Sequence, residues 1–66
     1  MNTPSKEELE KSKVHLERIN RDGEWERLDT FHDLQKALNY GENLFRSTST
    51  VHRLLNDNNQ IIELFD

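Results

Sequence analysis

Alternation of apolar and polar residues marks two segments around a turn in the first half of the chain. The segments are 13–20 (KVHLERIN) and 24–30 (EWERLDT), and they flank Arg21-Asp22-Gly23. Runs of this kind around a glycine-containing turn are typical of a β-hairpin. Asn20 and Gly23 occupy the first and fourth positions of a favourable type I turn in which the glycine is left-handed.

Charge pairing selects the register of this hairpin. A two-residue turn on Asp22-Gly23 would place Arg18 opposite Arg27, and like charges directly opposite each other destabilise a sheet. The four-residue type I turn predicts compatible pairs instead. These are Ile19 with Trp25, Arg18 with Glu26, Glu17 with Arg27, Leu16 with Leu28 and His15 with Asp29.

Helical periodicity follows over residues 30–46. The apolar positions that recur every three or four residues are Leu34, Ala37, Leu38, Gly41 and Phe45, and Leu44 widens this stripe. Thr30 is the predicted N-cap, and Phe31 is placed to pack against the first turn. A glycine inside a helix costs about 1 kcal/mol relative to alanine, so Gly41 either admits another backbone or marks an early end.

The C-terminal stretch, TVHRLLNDNNQIIELFD, predicts a second hairpin. Its turn is Asn56-Asp57-Asn58-Asn59, with Asn59 in the left-handed conformation. The predicted pairs are Leu55 with Ile61, Leu54 with Ile62, Arg53 with Glu63 and Val51 with Phe65. The sequences of the two hairpins also resemble each other at a spacing of 36 positions. In this alignment Asn20 corresponds to Asn56 and Trp25 to Ile61.

These elements predict an α+β fold of order β-β-α-β-β over residues 13–66, with one helix packed on one face of a four-stranded antiparallel sheet. Residues 1–12 form a lead-in, either a short helix or a frayed tail. The alternative is an all-α three-helix domain, because residues 5–20 and 51–65 also contain helical stripes. It would place Asn-Asp-Asn-Asn inside a helix, where these side chains compete for backbone hydrogen bonds.

Composition narrows the function classes. The chain has 66 residues, 13 of them acidic and 9 basic, with a formal charge of −4. The lack of cysteine excludes disulfides and thiolate metal sites. No apolar run reaches the ~18 residues of a membrane span. We therefore expect a cytoplasmic protein without contact to membranes.

Enzyme chemistry finds little support in the sequence. His15, His32 and His52 do not lie at metal-ligand spacings, and neither a glycine-rich phosphate loop nor a nucleophile elbow is present. The carboxylates are scattered and mostly adjacent to basic residues. We expect neither catalysis nor a cofactor.

The C-terminal hairpin is apolar on both predicted faces, with Leu54, Ile62 and Leu64 on one face and Val51, Leu55, Ile61 and Phe65 on the other. One helix covers only one face of a sheet, and an exposed apolar patch tends to mark an interaction surface. We therefore predict a non-catalytic protein–protein interaction module that forms a homodimer. Its candidate interface residues are Leu54, Ile62, Leu64, Trp25 and Tyr40.

Two alternatives remain open at this point. The negative charge suggests an inhibitor or regulator of a nucleic-acid enzyme, of the type found in phages and mobile elements. Arginines beside Trp25 or Tyr40 suggest weak nucleic-acid binding, although interleaved carboxylates make it unlikely. The layout resembles small bacterial and phage proteins in outline, but no diagnostic motif supports a transfer of function.

Overall fold

The order of the secondary-structure elements is β-β-α-β-β, as predicted. In the computed structural model, which describes residues 13–66, the elements are β1 (Val14–Ile19), β2 (Trp25–Phe31), α1 (Leu34–Thr48), β3 (His52–Asn56) and β4 (Ile61–Phe65). The strands form one antiparallel sheet of order β2-β1-β3-β4. The predicted fold class is confirmed and the all-helical alternative is wrong. The predicted lead-in, residues 1–12, lies outside the described residues.

The first hairpin turns where the sequence predicts. The amide of Gly23 donates to the carbonyl of Asn20 at 3.1 Å, and Gly23 is left-handed, with a φ of 79°. The side-chain oxygen of Asn20 accepts from the amides of Asp22 and Glu24, each at 2.9 Å. One asparagine side chain therefore closes the turn, which explains why the local sequence was sufficient to predict it.

The second turn repeats this arrangement. Asn59 is left-handed, with a φ of 61°, and donates to the carbonyl of Asn56 at 3.1 Å. The side chain of Asn56 accepts from the amides of Asn58 and Gln60 at 2.9 Å. The predicted likeness between the two hairpins is thus confirmed at their turns.

A β-bulge corrects the predicted register of the first hairpin. Pairing follows the prediction from the turn to Glu17 and Arg27, and then shifts by one residue. Leu16 lies opposite Asp29 and His15 opposite Thr30, so the predicted pairs Leu16–Leu28 and His15–Asp29 are wrong. The reason is that Leu28 is an additional residue on β2, and alternation along a strand does not reveal an insertion of this kind.

A second bulge, at Ile62, changes the C-terminal hairpin more deeply. Leu55 pairs with Ile61 as predicted, but the next pairs are Leu54 with Glu63, Arg53 with Leu64 and His52 with Phe65. The predicted pairs Leu54–Ile62, Arg53–Glu63 and Val51–Phe65 are therefore wrong. Because a one-residue shift exchanges the two faces of a strand, Leu64 joins the face of Ile61 and Phe65 the face of Leu54.

The helix begins later and ends later than predicted. Thr30 is not its N-cap, because Thr30 and Phe31 still belong to β2. Asp33 caps the helix instead, and its side chain accepts from the amide of Lys36 at 3.2 Å. At the other end Ser49 is left-handed, with a φ of 55°, and its amide donates to Phe45. Residues 47 and 48, which lie beyond the predicted helix of 30–46, are thus also helical.

The hydrophobic core lies between α1 and one face of the sheet. Its buried members are Val14, Leu16, Ala37, Leu54 and Phe65, and Phe31, Leu38, Leu44 and Phe45 pack around them. Gly41 lies in the interior of the helix, where a Cβ atom would be 2.6 Å from Cε2 of Phe65. The close approach is made by an aromatic side chain and not by a second backbone, and the predicted early end of the helix is wrong.

We predict that Gly41→Ala lowers the free energy of unfolding by about 1–3 kcal/mol, although alanine favours helices, because the added methyl group displaces the Phe65 ring. Urea unfolding measures the change. The matched control is Asn43→Ala, at an exposed position of the same helix, which should be neutral or slightly stabilising. Equal effects of the two substitutions would contradict the tight contact.

Candidate functional site

The sheet face opposite α1 is called the open face here. The strand pairing assigns to it His15, Glu17, Ile19, Trp25, Arg27, Thr30, Arg53, Leu55, Ile61 and Leu64. β1 and β3 form its centre, while β2 and β4 form the two edges. Since His15 and Glu17 on β1 are buried, their polar groups require hydrogen-bond partners within the fold.

Glu17 organises the centre of the open face. One of its carboxylate oxygens accepts from Arg53 on β3 at 2.9 Å, and the other accepts from Arg27 on β2 at 3.2 and 3.3 Å. Both arginines lie directly opposite Glu17 in the sheet. Arginines on both neighbouring strands therefore compensate the negative charge of the buried carboxylate. The three side chains link β2, β1 and β3 in one row.

Trp25 belongs to the same cluster. The guanidinium carbon of Arg53 lies 4.0 Å from the centroid of the Trp25 ring, in a cation–π contact. Arg53 therefore covers one face of the ring while it binds Glu17. The predicted partner of Arg53 is Glu63, but the pairing of β3 with β1 brings Arg53 to Glu17, and the bulge on β4 puts Leu64 opposite it.

His15 connects three parts of the fold. Its Nε2 lies 2.8 Å from a carboxylate oxygen of Asp57 in the second turn, and its Nδ1 lies 2.9 Å from the hydroxyl of Thr30 on β2. A carboxylate only accepts hydrogen bonds, so Nε2 donates to Asp57. In the neutral imidazole, Nδ1 then accepts from Thr30. Asp57 lies 42 positions from His15 in the chain, so no local pattern predicts this contact.

The hydrogen bond from His15 lowers the pKa of the Asp57 carboxyl below its usual value, and partial desolvation opposes this shift. The backbone N–H and the positive charge of Lys13 lower the pKa further. The ionised form of Asp57 is therefore the form that the fold stabilises.

The sequence Thr30–His15–Asp57 has the order of nucleophile, base and orienting carboxylate found in acyl-transfer sites. Catalysis of that kind also requires hydrogen-bond donors aimed at the developing oxyanion. The amide of Thr30 is not free for this, since it donates to the side chain of Asp29 at 2.8 Å. We interpret the three residues as a structural link that ties β1 to β2 and to the second turn.

The predicted interface residues do not form one surface. Leu54 is 0% exposed and belongs to the core, so its predicted place on an outer face is wrong; the pairing of β3 with β1 puts Leu54 beside Leu16, on the side of the helix. Trp25 lies under Arg53 on the open face. Tyr40 is on the exposed side of α1, with its ring centroid 5.4 Å from that of Phe31.

Ile62 and Leu64 are both exposed, and the structure places them together on β4. Ile61 is more exposed still, although the sequence analysis did not select it. The exposed fractions are 58% for Ile61, 38% for Ile62 and 44% for Leu64. We call these three residues the β4 apolar edge.

The two edges of the sheet differ in chemistry. Besides Leu28, the exposed positions of β2 include the charged residues Glu26, Arg27 and Asp29. On β4, Glu63 is the one charged position, and it lies between the apolar residues of the β4 apolar edge. Charged side chains on an edge strand hinder pairing with another chain, whereas an apolar edge favours it.

We predict that Glu17→Gln lowers the free energy of unfolding by about 1–3 kcal/mol, because two arginines lose the carboxylate that they share. The loss stays below that of a fully buried ion pair, because Arg27 is half-exposed. The matched control is Glu26→Gln, which removes an exposed pair with Arg18 at 3.7 Å. Its effect should stay within about 0.5 kcal/mol. Urea unfolding at neutral pH compares them, and similar losses would contradict a central role for Glu17.

We predict that Asp57→Asn destabilises the fold at neutral pH and that this difference from the wild type shrinks in acid. The pKa of the Asp57 carboxyl is lower in the folded state than in the unfolded state. The ionised carboxylate therefore makes its full contribution to the free energy of unfolding above the unfolded pKa of about 3.9, and this contribution is lost as the pH falls through the folded pKa. Unfolding at pH 7 and near pH 2 measures it. The control Asp22→Asn, in the exposed first turn, should show a smaller change with pH.

Comparisons with known proteins give no relative on which to base a function: no protein-family model, curated protein or solved structure matches the chain significantly. Within residues 13–66, no helix has the length and apolar character needed to cross a membrane. The same residues contain no group of three or more histidine or acidic side chains arranged to hold a metal ion.

Proposed function

We propose that this domain is a non-catalytic protein–protein interaction module that associates with a second copy of itself through its C-terminal hairpin. The observation that supports the proposal is the β4 apolar edge, in which three large apolar side chains are exposed on one strand. Burial of such surface is the main favourable contribution to most protein associations.

The position of these residues strengthens the proposal. Scattered apolar residues are normal on a protein surface, whereas adjacent ones on an edge strand tend to mark an interaction site. The core of this small domain is completed by other residues, including Leu54 and Phe65, so the β4 apolar edge is not required to fill it.

The basic residues give less support to nucleic-acid binding. Arg27 and Arg53 share Glu17, and Arg46 contacts Glu42 at 2.7 Å. Arg53 also covers one face of Trp25, which would have to be exposed to stack on a base. These contacts favour a protein as the partner.

We predict that Leu64→Lys abolishes self-association, because it places a charge in the contact that buries the β4 apolar edge. Light scattering over roughly 10 µM to 1 mM is the measurement, since two short strands bury less than the ~800 Å² per partner of a standard interface. The matched control is Leu28→Lys, on the opposite edge strand at 37% exposure, which should leave association unchanged.

Circular dichroism and urea unfolding of both variants separate a lost contact from a lost fold. A wild-type mass that stays monomeric over the whole concentration range would contradict the proposed self-association. So would a Leu64→Lys variant that is folded and still dimeric.

A further inference from the structure

We infer that the second copy docks edge to edge, with its β4 antiparallel to β4 of the first copy, so that the two domains share one continuous eight-stranded sheet. The inference rests on the proposed self-association and specifies its geometry. The alternative geometry for the same residues is stacking of two open faces. Backbone pairing, side-chain placement and the chemistry of the opposite edge favour the edge contact.

Backbone pairing provides the first argument. Within residues 13–66, β3 is the one strand that pairs with β4. In an antiparallel pair, backbone groups point alternately toward and away from the neighbouring strand, so part of the N–H and C=O groups of β4 remain available. A second β4 supplies matching donors and acceptors, because the two copies have the same strand length.

Side-chain placement provides the second argument. The bulge at Ile62 puts Ile61 and Leu64, at opposite ends of β4, on the same open face. A two-fold axis perpendicular to the sheet keeps both open faces on one side and reverses the strand direction. Leu64 of each copy then lies beside Ile61 of the other, so apolar side chains meet at both ends of the contact.

The opposite edge explains why assembly stops at two copies. In the dimer the outer edges are the two β2 strands, which expose Glu26, Arg27 and Asp29. Charged edges of this kind oppose further strand addition. The contact is also isologous, so it uses the same surface of both copies and closes on itself.

The charge of Glu63 sets a limit on the affinity. It lies near the middle of β4, and the predicted axis brings it close to Glu63 of the second copy. Residues 61–66 contain the carboxylates of Glu63 and Asp66 and no lysine, arginine or histidine. Like charges at a strand contact are destabilising and are screened by salt. Association should therefore strengthen with ionic strength and with Glu63→Gln.

Cysteine cross-linking tests the geometry, since the natural chain contains no cysteine and each variant carries a single thiol. Glu63→Cys should form a disulfide-linked dimer at least tenfold faster than the control Glu26→Cys on β2. An equimolar mixture of Ile61→Cys and Leu64→Cys chains should form the mixed disulfide in preference to either homodimer, because these positions face each other across the axis. Mass spectrometry identifies each product.

The outcomes separate the two proposals. Wild-type protein that is monomeric by light scattering overturns both self-association and the edge contact. A dimeric wild type in which Glu63→Cys reacts no faster than Glu26→Cys overturns the edge contact alone, and preferred homodisulfides at Ile61→Cys or Leu64→Cys point to stacked open faces. A fast Glu63→Cys reaction together with the mixed disulfide supports the edge contact.

Discussion

Within residues 13–66, one helix of 15 residues covers one face of the four-stranded sheet, and this constraint shapes the rest of the described structure. On the side of the helix, the central strand β1 must present apolar residues. On the other side, its polar side chains must find partners on the neighbouring strands. Leu16 meets the first requirement, because it is fully buried in the core. Glu17 meets the second, because Arg27 and Arg53 reach it from both neighbouring strands. Within residues 13–66, ion pairs and hydrogen bonds link the strands on the open face.

The bulge at Ile62 links the core to the outer edge. It turns Phe65 toward the helix, where Gly41 leaves room for the aromatic ring. It also turns Leu64 toward the open face, on the same side as Ile61. One additional residue in β4 thus completes the core and creates the apolar edge on which the proposed function depends, which agrees with the frequent occurrence of bulges at sheet edges.

The difference between the two edge strands gives the proposed function its physical basis. Small domains bury a limited fraction of their surface, so association with a second copy is a common way to gain further burial. Here the charged edge β2 and the β4 apolar edge lie at opposite sides of the sheet. A contact through β4 removes the apolar edge from water and leaves the charged edges outside, which favours a closed dimer over an extended array.

The order of the elements, both turns and the apolar stripe of the helix follow from local patterns in the sequence. These features depend on neighbouring residues: Asn20 and Asn56 bind amides of their own turns, and Ala37 and Gly41 lie one helical turn apart. The pairing of β1 with β3 and the positions of the two bulges emerge only in the folded domain. Those choices depend on packing between distant segments, as in the pairing of Leu16 with Leu54, and no local pattern contains that information.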